Sequence, residues 1–561
     1  MSARSLVIGL DGADLGVVRA LGEDRLPTLH TLMRRGAYAA LESVRPPATL
    51  PAWTTFLTGM DPGAHGVFDF TTRQGYQVRF TAGTVREVPT LFARLDALGL
   101  RCACISFPAT YPPEPLSNGI FMSGWDAPVA FEADRSFVWP PALYDAIEAR
   151  FGKPRFDDVD EFAADAEGWH QALPAKLIGR IEEKAALGRW LLERERWDLF
   201  ALYFGESDTA AHHLWSLHEP DSPRRPAGWA PDPLALSGLG QVYVALDRAV
   251  GTLLEAAGGE AVELTILSDH GSGGSSDKVL YLNRALEEAG LLRSKPRGVR
   301  QALVSGAKGL ALRALPPRLR ERIFRFGGAV LPSRLESAAR FGGIEMGRSL
   351  CFSEELNYFP SVWLNMKGRE PEGLVAPAER EAVCRQVIAA LEAIVDPFSG
   401  ARVIKRVLRR EALYEGPFVE RAPDLILELN LDGDHSYNLM PSADAPPGTG
   451  SWRRLCEAER LGRKGRSLPG AHRALGLFIA AGPSVAEAGE LEATIPDVSA
   501  TLLARMGIAV PPDFAGRVLW EALMATAAEA RTLPQVAARA RKSPADEARL
   551  HARLRALGYV D

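Results

Sequence analysis

Short aliphatic runs, each about the length of one buried strand, constrain this chain most: they fall at 6–10, 102–107, 199–204, 264–267, 425–427 and 477–479. Between them lie stretches that are apolar at helical spacing, at 91–98, 176–193, 242–256 and 379–394. Continuous apolar runs alternating with amphipathic helices predict an α/β fold, a doubly wound and mostly parallel sheet with helices on both faces. No internal repeat interrupts the pattern.

The 561 residues are enough for one large α/β domain with insertions. The expected organisation is a core over 1–290, a basic helical cap insertion over 291–345, the second part of the core over 346–525, and peripheral C-terminal helices over 526–561. The insertion is rich in arginine and lysine around the break at Pro316-Pro317. It reads as a solvated cap, with a peripheral contact to anionic membrane lipid as the alternative, and the C-terminal segment reads as a packing or oligomer contact. A net charge of -5 argues against nucleic-acid binding, which rests on clustered cations. Cys102, Cys104, Cys351, Cys384 and Cys456 are odd in number and scattered, which fits reduced thiols better than a disulfide framework. With neither a signal-peptide pattern at the start nor a run long enough to span a bilayer, the expectation is a soluble cytoplasmic protein.

The chemistry lies where the strand-like runs end. The first run stops at Asp11-Gly12, the third is followed by Asp208 and His212, and the fourth by Asp269-His270 and a series of glycines. His472 precedes the last run. In doubly wound sheets ligands bind beyond the carboxyl ends of strands, so one sheet edge can gather these groups. Asp208 and His212 are four apart and share a helical face. Asp269 and His270 converge only if the chain turns there, which the glycines permit. Thr49 stands where a helix N-cap is expected, with Pro51 in the first turn and Gly59 at the stop, and unpaired N–H groups beside its hydroxyl suit an oxyanion. Taken singly, each residue has a plainer reading as a cap, a turn or a loop. Together they supply two sites of three ligands each, fit for two divalent cations, with zinc favoured by the mixed histidine and aspartate donors and manganese as the alternative.

The order Asp11, Thr49-Leu50-Pro51-x-Trp53 running to Thr58-Gly59, Asp208-x-x-x-His212, Ser268-Asp269-His270-Gly271 and Gly470-x-His472 resembles the alkaline phosphatase superfamily, and within it the type I phosphodiesterase/nucleotide pyrophosphatase branch. The segments 60–66, 107–113, 364–373 and 495–503 are similar to those of predicted phosphohydrolase/phosphomutase members. The resemblance implies one metal on Asp208, His212 and His472, a second on Asp11, Asp269 and His270, and Thr49 as a nucleophile ligated to the second. It implies a phosphothreonine intermediate that water then hydrolyses. The chain departs from sulfatases in having Thr49-Leu50-Pro51-Ala52-Trp53 in place of their cysteine or serine core, and from nucleotide pyrophosphatases in carrying Ala52 where an asparagine is usual.

The expected activity is therefore that of a metal-dependent phosphodiesterase, because no arginine neighbours Thr49 to hold a dianionic monoester. The alternatives are a phosphomonoesterase or a phosphotransferase/phosphomutase at the same site, and a non-catalytic scaffold. The expected partner is a small-molecule phosphoester, a nucleotide or lipid head group among the candidates, with Trp53, His65 and Trp125 lining its pocket.

Overall fold

The first strand, β1 (Ala3–Leu10), is buried on both faces: Leu6, Ile8 and Leu10 enter one apolar layer and Val7 the other. That alternation is the period of two expected of a strand. It repeats in β8 (Trp197–Phe204), where Phe200, Leu202 and Phe204 join the first layer and Leu199, Ala201 and Tyr203 the second. These coordinates come from a computed structural model that describes residues 3–80, 85–124, 135–152, 168–229, 236–295, 337, 340–462, 467–524 and 531–534.

Both strands belong to a nine-stranded sheet. Its order is β20 (Gly489–Glu490), β2 (Ala37–Glu42), β19 (Leu475–Ala481), β9 (Glu263–Leu267), β1, β8, β5 (Cys102–Ile105), β6 (Ile120–Met122) and β7 (Val138–Trp139). From β9 to β6 all pairings are parallel, whereas β19 runs antiparallel to both β9 and β2, and β7 runs antiparallel to β6. The helices Leu15–Leu21, Pro27–Arg35, Trp169–Arg194, Glu206–His218 and Gly238–Ala257 cover one face. Thr49–Thr58, Leu91–Asp96 and Ile495–Arg505 cover the other. The mostly parallel α/β fold expected from the sequence is the one observed.

The antiparallel position of β19 gathers the site. Because Phe478 pairs with Leu267, the start of β19 lies at the carboxyl edge of β9, and the end of β2 lies there too, with Glu42 opposite Leu475. Residues preceding β19 and following β2, His472 and Thr49 among them, are thereby delivered to the edge where β1, β8 and β9 end.

The run 425–427 does not enter this sheet. It lies in β14 (Leu425–Leu429), which joins β11 (Cys351–Phe352), β12 (Ser361–Leu364) and β13 (Ile404–Arg409) in an antiparallel four-stranded sheet. Leu425 and Leu427 pack into one cluster and Ile426 into another, so both faces are covered, and a strand of that kind reads in sequence like a central parallel one. A further sheet orders β15 (Leu431–Asp432), β16 (His435–Leu439), β10 (Gly271–Leu280) and β17 (Trp452–Arg454), with β18 (Gly470–Arg473) paired to the first half of β10. Small pairs complete the strands: β3 (Thr71–Gln74) with β4 (Gln77–Phe80), and β21 (Ile508–Ala509) with β22 (Arg531–Thr532). Most of the expected cap insertion, 296–336, and of the C-terminal helices, 535–561, lies outside the described residues, as does Trp125. Among the described residues no helix is long and apolar enough to cross a membrane.

Candidate active site

Asp11 follows β1 directly, its backbone N–H bonded to the Phe204 carbonyl of the adjacent strand. Gly12 comes next at a φ of 62°, and a Cβ there would stand 2.9 Å from Asp208 Oδ1, so the turn needs glycine for the two carboxylates to approach. One Asp11 oxygen, Oδ2, is fixed by the Tyr203 phenol at 2.6 Å and the Trp53 indole N–H at 2.9 Å. The Trp53 ring fits beneath Asp11 because residue 9 is glycine; a Cβ on Gly9 would meet the ring at 2.8 Å.

Asp208 and His212 lie one turn apart on Glu206–His218, with His212 Nε2 3.3 Å from Asp208 Oδ1. Ser268, Asp269 and His270 form the bend between β9 and β10, which brings Asp269 Oδ2 to 3.2 Å from His270 Nε2. His472, on β18, stacks on His270 with ring centroids 3.6 Å apart and places its Nε2 3.1 Å from His212 Nε2. The Thr49 hydroxyl is 3.3 Å from His270 Nε2. Thr49 is the first residue of its helix, and Ala48 occupies the cap position expected for it, so the hydroxyl is directed to His270 and makes no capping bond.

Each imidazole has its Nδ1 at a backbone carbonyl: His212 at Gly470, 3.2 Å; His270 at Gly271, 2.9 Å; and His472 at Pro47, 2.8 Å. Donation through Nδ1 leaves each Nε2 a lone pair, all turned inward. Asp11 Oδ1, Asp208 Oδ1 and Asp269 Oδ2 are buried and accept no hydrogen bond. The ring nitrogens of His212 and His472 converge on buried carboxylate oxygens without donors, an arrangement suited to cations. The donor set fits two divalent ions: Asp208, His212 and His472 converge within 4.8 Å, as do Asp11, Asp208 and His270, so Asp208 faces both groups.

The electrostatics agree. Burial, together with the neighbouring charges of Asp269 and Asp208, raises the pKa of Asp11 well above the carboxylate range. Burial pushes Asp269 up to about 8 against the lowering effect of the Gly12 N–H. For Asp208 burial also acts upward, but His212, His472 and His270 outweigh it and hold the group below its ordinary value. Burial and His270 drive His472 well down, toward the neutral ring a metal requires.

Two of the residues expected to line the pocket, Trp53 and His65, are buried. Trp53 has no exposed surface and supports Asp11 from below, edge-on to Phe107 and Tyr203. His65 is also fully buried, accepts from the Val67 N–H through Nδ1 and meets Thr55 through Nε2 at 3.1 Å, and burial takes its pKa down to about 3. His213 points away from the cluster, packed edge-on against Trp169. Asp14 caps the helix Leu15–Leu21, and Arg473 braces Gly274 and Asp434 through their carbonyls. Two residues not anticipated touch the cluster: Tyr203, and Tyr358, whose ring stacks on His472. For Tyr203 the sequence held a signal, a phenol inside an aliphatic buried strand, which must find an acceptor.

The family model for type I phosphodiesterase / nucleotide pyrophosphatase matches residues 5–440, and the chain belongs to that family. It is a hydrolase of phosphoric ester bonds. No curated protein sequence matches it significantly. Similar solved structures include murine ectonucleotide pyrophosphatase/phosphodiesterase 5, an inactive form in complex with AMP, at 13% identity over 91% of this chain and 96% of that one, with a TM-score of 0.46. Phosphonoacetate hydrolase from Sinorhizobium meliloti 1021, in complex with phosphonoformate, is 16% identical over 85% of this chain and 90% of that one, with a TM-score of 0.48.

Proposed function

We propose that the protein is a metal-dependent phosphodiesterase that acts on small-molecule substrates through a covalent ester of Thr49. The observation that carries this reading is the set of buried, unpartnered carboxylate oxygens of Asp11, Asp208 and Asp269 gathered with three imidazoles beside the Thr49 hydroxyl. Asp208, His212 and His472 would hold one ion and Asp11, Asp269 and His270 the other, with Asp208 between them and Thr49 on the second. Divalent ions bound there would supply Lewis acidity, which lowers the pKa of an alcohol and neutralises phosphoryl charge.

The chain's own residues do the rest. Thr49 begins a ten-residue helix, whose N-terminal N–H groups and dipole favour the phosphoryl anion. The hydroxyl releases its proton to solvent, Thr49 Oγ bonds to phosphorus, and the bond from phosphorus to the leaving alcohol breaks. Water then cleaves the phosphothreonine, which still carries the second alcohol of a diester. Preference for a diester over a dianionic monoester is supported by the arginines adjacent in sequence to site residues, four before Thr49 and one after His472. Arg45 is engaged by Glu42 and Glu428, and Arg473 by backbone carbonyls, so neither is available to the extra charge.

The test compares bis(4-nitrophenyl) phosphate with 4-nitrophenyl phosphate on metal-loaded protein, alongside Thr49→Ala. The expected result is faster turnover of the diester and a loss of about three orders of magnitude or more in kcat for the variant with its metals retained. Full activity in metal-loaded Thr49→Ala would remove Thr49 as nucleophile, and faster monoester turnover would make the protein a phosphomonoesterase.

A further inference from the structure

The segment between β11 and β12 is held in a strained shape. Glu355 adopts a φ of 55° while 4% exposed, a left-handed conformation that a glutamate reaches only when its surroundings impose it. The surroundings are explicit. Its carboxylate accepts the Asn283 N–H at 2.9 Å, the Ser442 hydroxyl at 2.6 Å and the Ser442 N–H, and its own N–H donates to the Ser353 hydroxyl at 3.0 Å. Asn283 and Ser353 exchange two more bonds, and Asn357 accepts the Leu439 N–H at 2.9 Å. Three residues beyond the strained position, this brace delivers Tyr358 onto the site. The Tyr358 ring lies 4.2 Å from that of His472 at 13° to it, continuing a stack whose next member is His270. Its hydroxyl is 3.5 Å from His212 Nδ1, a long contact beside the shorter one from His212 to Gly470.

We infer that Tyr358 is a positioning residue for the metal site: its ring fixes the plane of His472 and so the direction of the Nε2 lone pair. The inference rests on the two-metal reading above and deepens it, because it makes the smaller antiparallel sheet part of the site. Hydrogen bonds at the His472 ring nitrogens, to Pro47 and toward His212, leave the ring plane free to tilt about the line joining them; the stacked rings on either side remove that freedom.

Zinc ions alone are the probe, titrated into metal-free protein against a chelating dye for wild type, Tyr358→Phe and Tyr358→Ala, with thermal unfolding of each metal-free form in parallel. Tyr358→Phe keeps the ring and is expected within about threefold of wild type, while Tyr358→Ala loses about tenfold or more in affinity for one of the two ions. Equal affinity in wild type and Tyr358→Ala overturns the inference, and so does an equal loss in both variants. A lower unfolding temperature in Tyr358→Ala with unchanged zinc affinity also counts against it, as the mark of a merely structural ring. Wild type that binds no zinc refutes the two-metal reading itself, and is told apart from the other outcomes by the wild-type titration alone.

Discussion

Asp11 Oδ2 takes two hydrogen bonds from the layer beneath it, and Oδ1 is left for the cluster. That division of one carboxylate is the work of Trp53 and Tyr203, and it predicts the effect of Tyr203→Phe, which deletes a hydroxyl and little volume. Zinc affinity and turnover are each expected to fall about 10- to 100-fold, measured by chelator competition and steady-state kinetics, whereas unchanged values would mean that the indole alone orients Asp11. At this scale much was legible in the sequence. Asp11, Asp208, Asp269, His270 and His472 flank strand-like runs, and topology alone brings strand ends to one edge. Tyr203 and Tyr358 were not legible as site residues. The first is explained equally well as strand packing, and the second acts through a segment whose shape is set by Asn283, Ser442 and Leu439, at positions far along the chain. Trp53 was legible as important but expected in the pocket lining, whereas it is buried beneath Asp11, since a sequence does not say which face of a helix meets the sheet.

At the scale of the element, the strained segment around Glu355 carries a pH dependence. Burial raises this carboxyl from 4.5 to about 7, against the lowering effect of the bonds from Ser442 and Asn283. A carboxyl with a raised folded-state pKa stabilises fully below its unfolded value and loses that contribution as the pH rises through the folded one. The urea midpoint of metal-free protein is therefore expected to carry a falling component between about pH 4.5 and 7 that Glu355→Gln removes. An identical slope in the two proteins would show that Glu355 is ionised throughout. Two helix and strand expectations shifted at this scale for physical reasons. Thr49 moved from cap to first helical residue because its hydroxyl is turned to His270, and the 425–427 run moved to a second sheet because full burial on two faces looks alike in parallel and antiparallel strands.

In the whole molecule, the large sheet contributes Asp11, Asp208, Asp269 and Thr49 from its carboxyl edge. β10 then carries the chain away into the smaller sheets, and these return Tyr358 and, through β18, His472 to the same point. The site is thus a junction, with Thr49 reaching the cluster at His270 and the Tyr358 brace reaching it at His472. This arrangement bears on the stereochemistry of the reaction: attack by Thr49 followed by attack by water amounts to two in-line displacements at phosphorus. Hydrolysis of a phosphodiester made chiral at phosphorus by isotopic labelling, carried out in labelled water, reports the course directly and does not require the intermediate to accumulate. Retention of configuration is the predicted result, and inversion would mean that water attacks the substrate in one step and that Thr49 is no nucleophile.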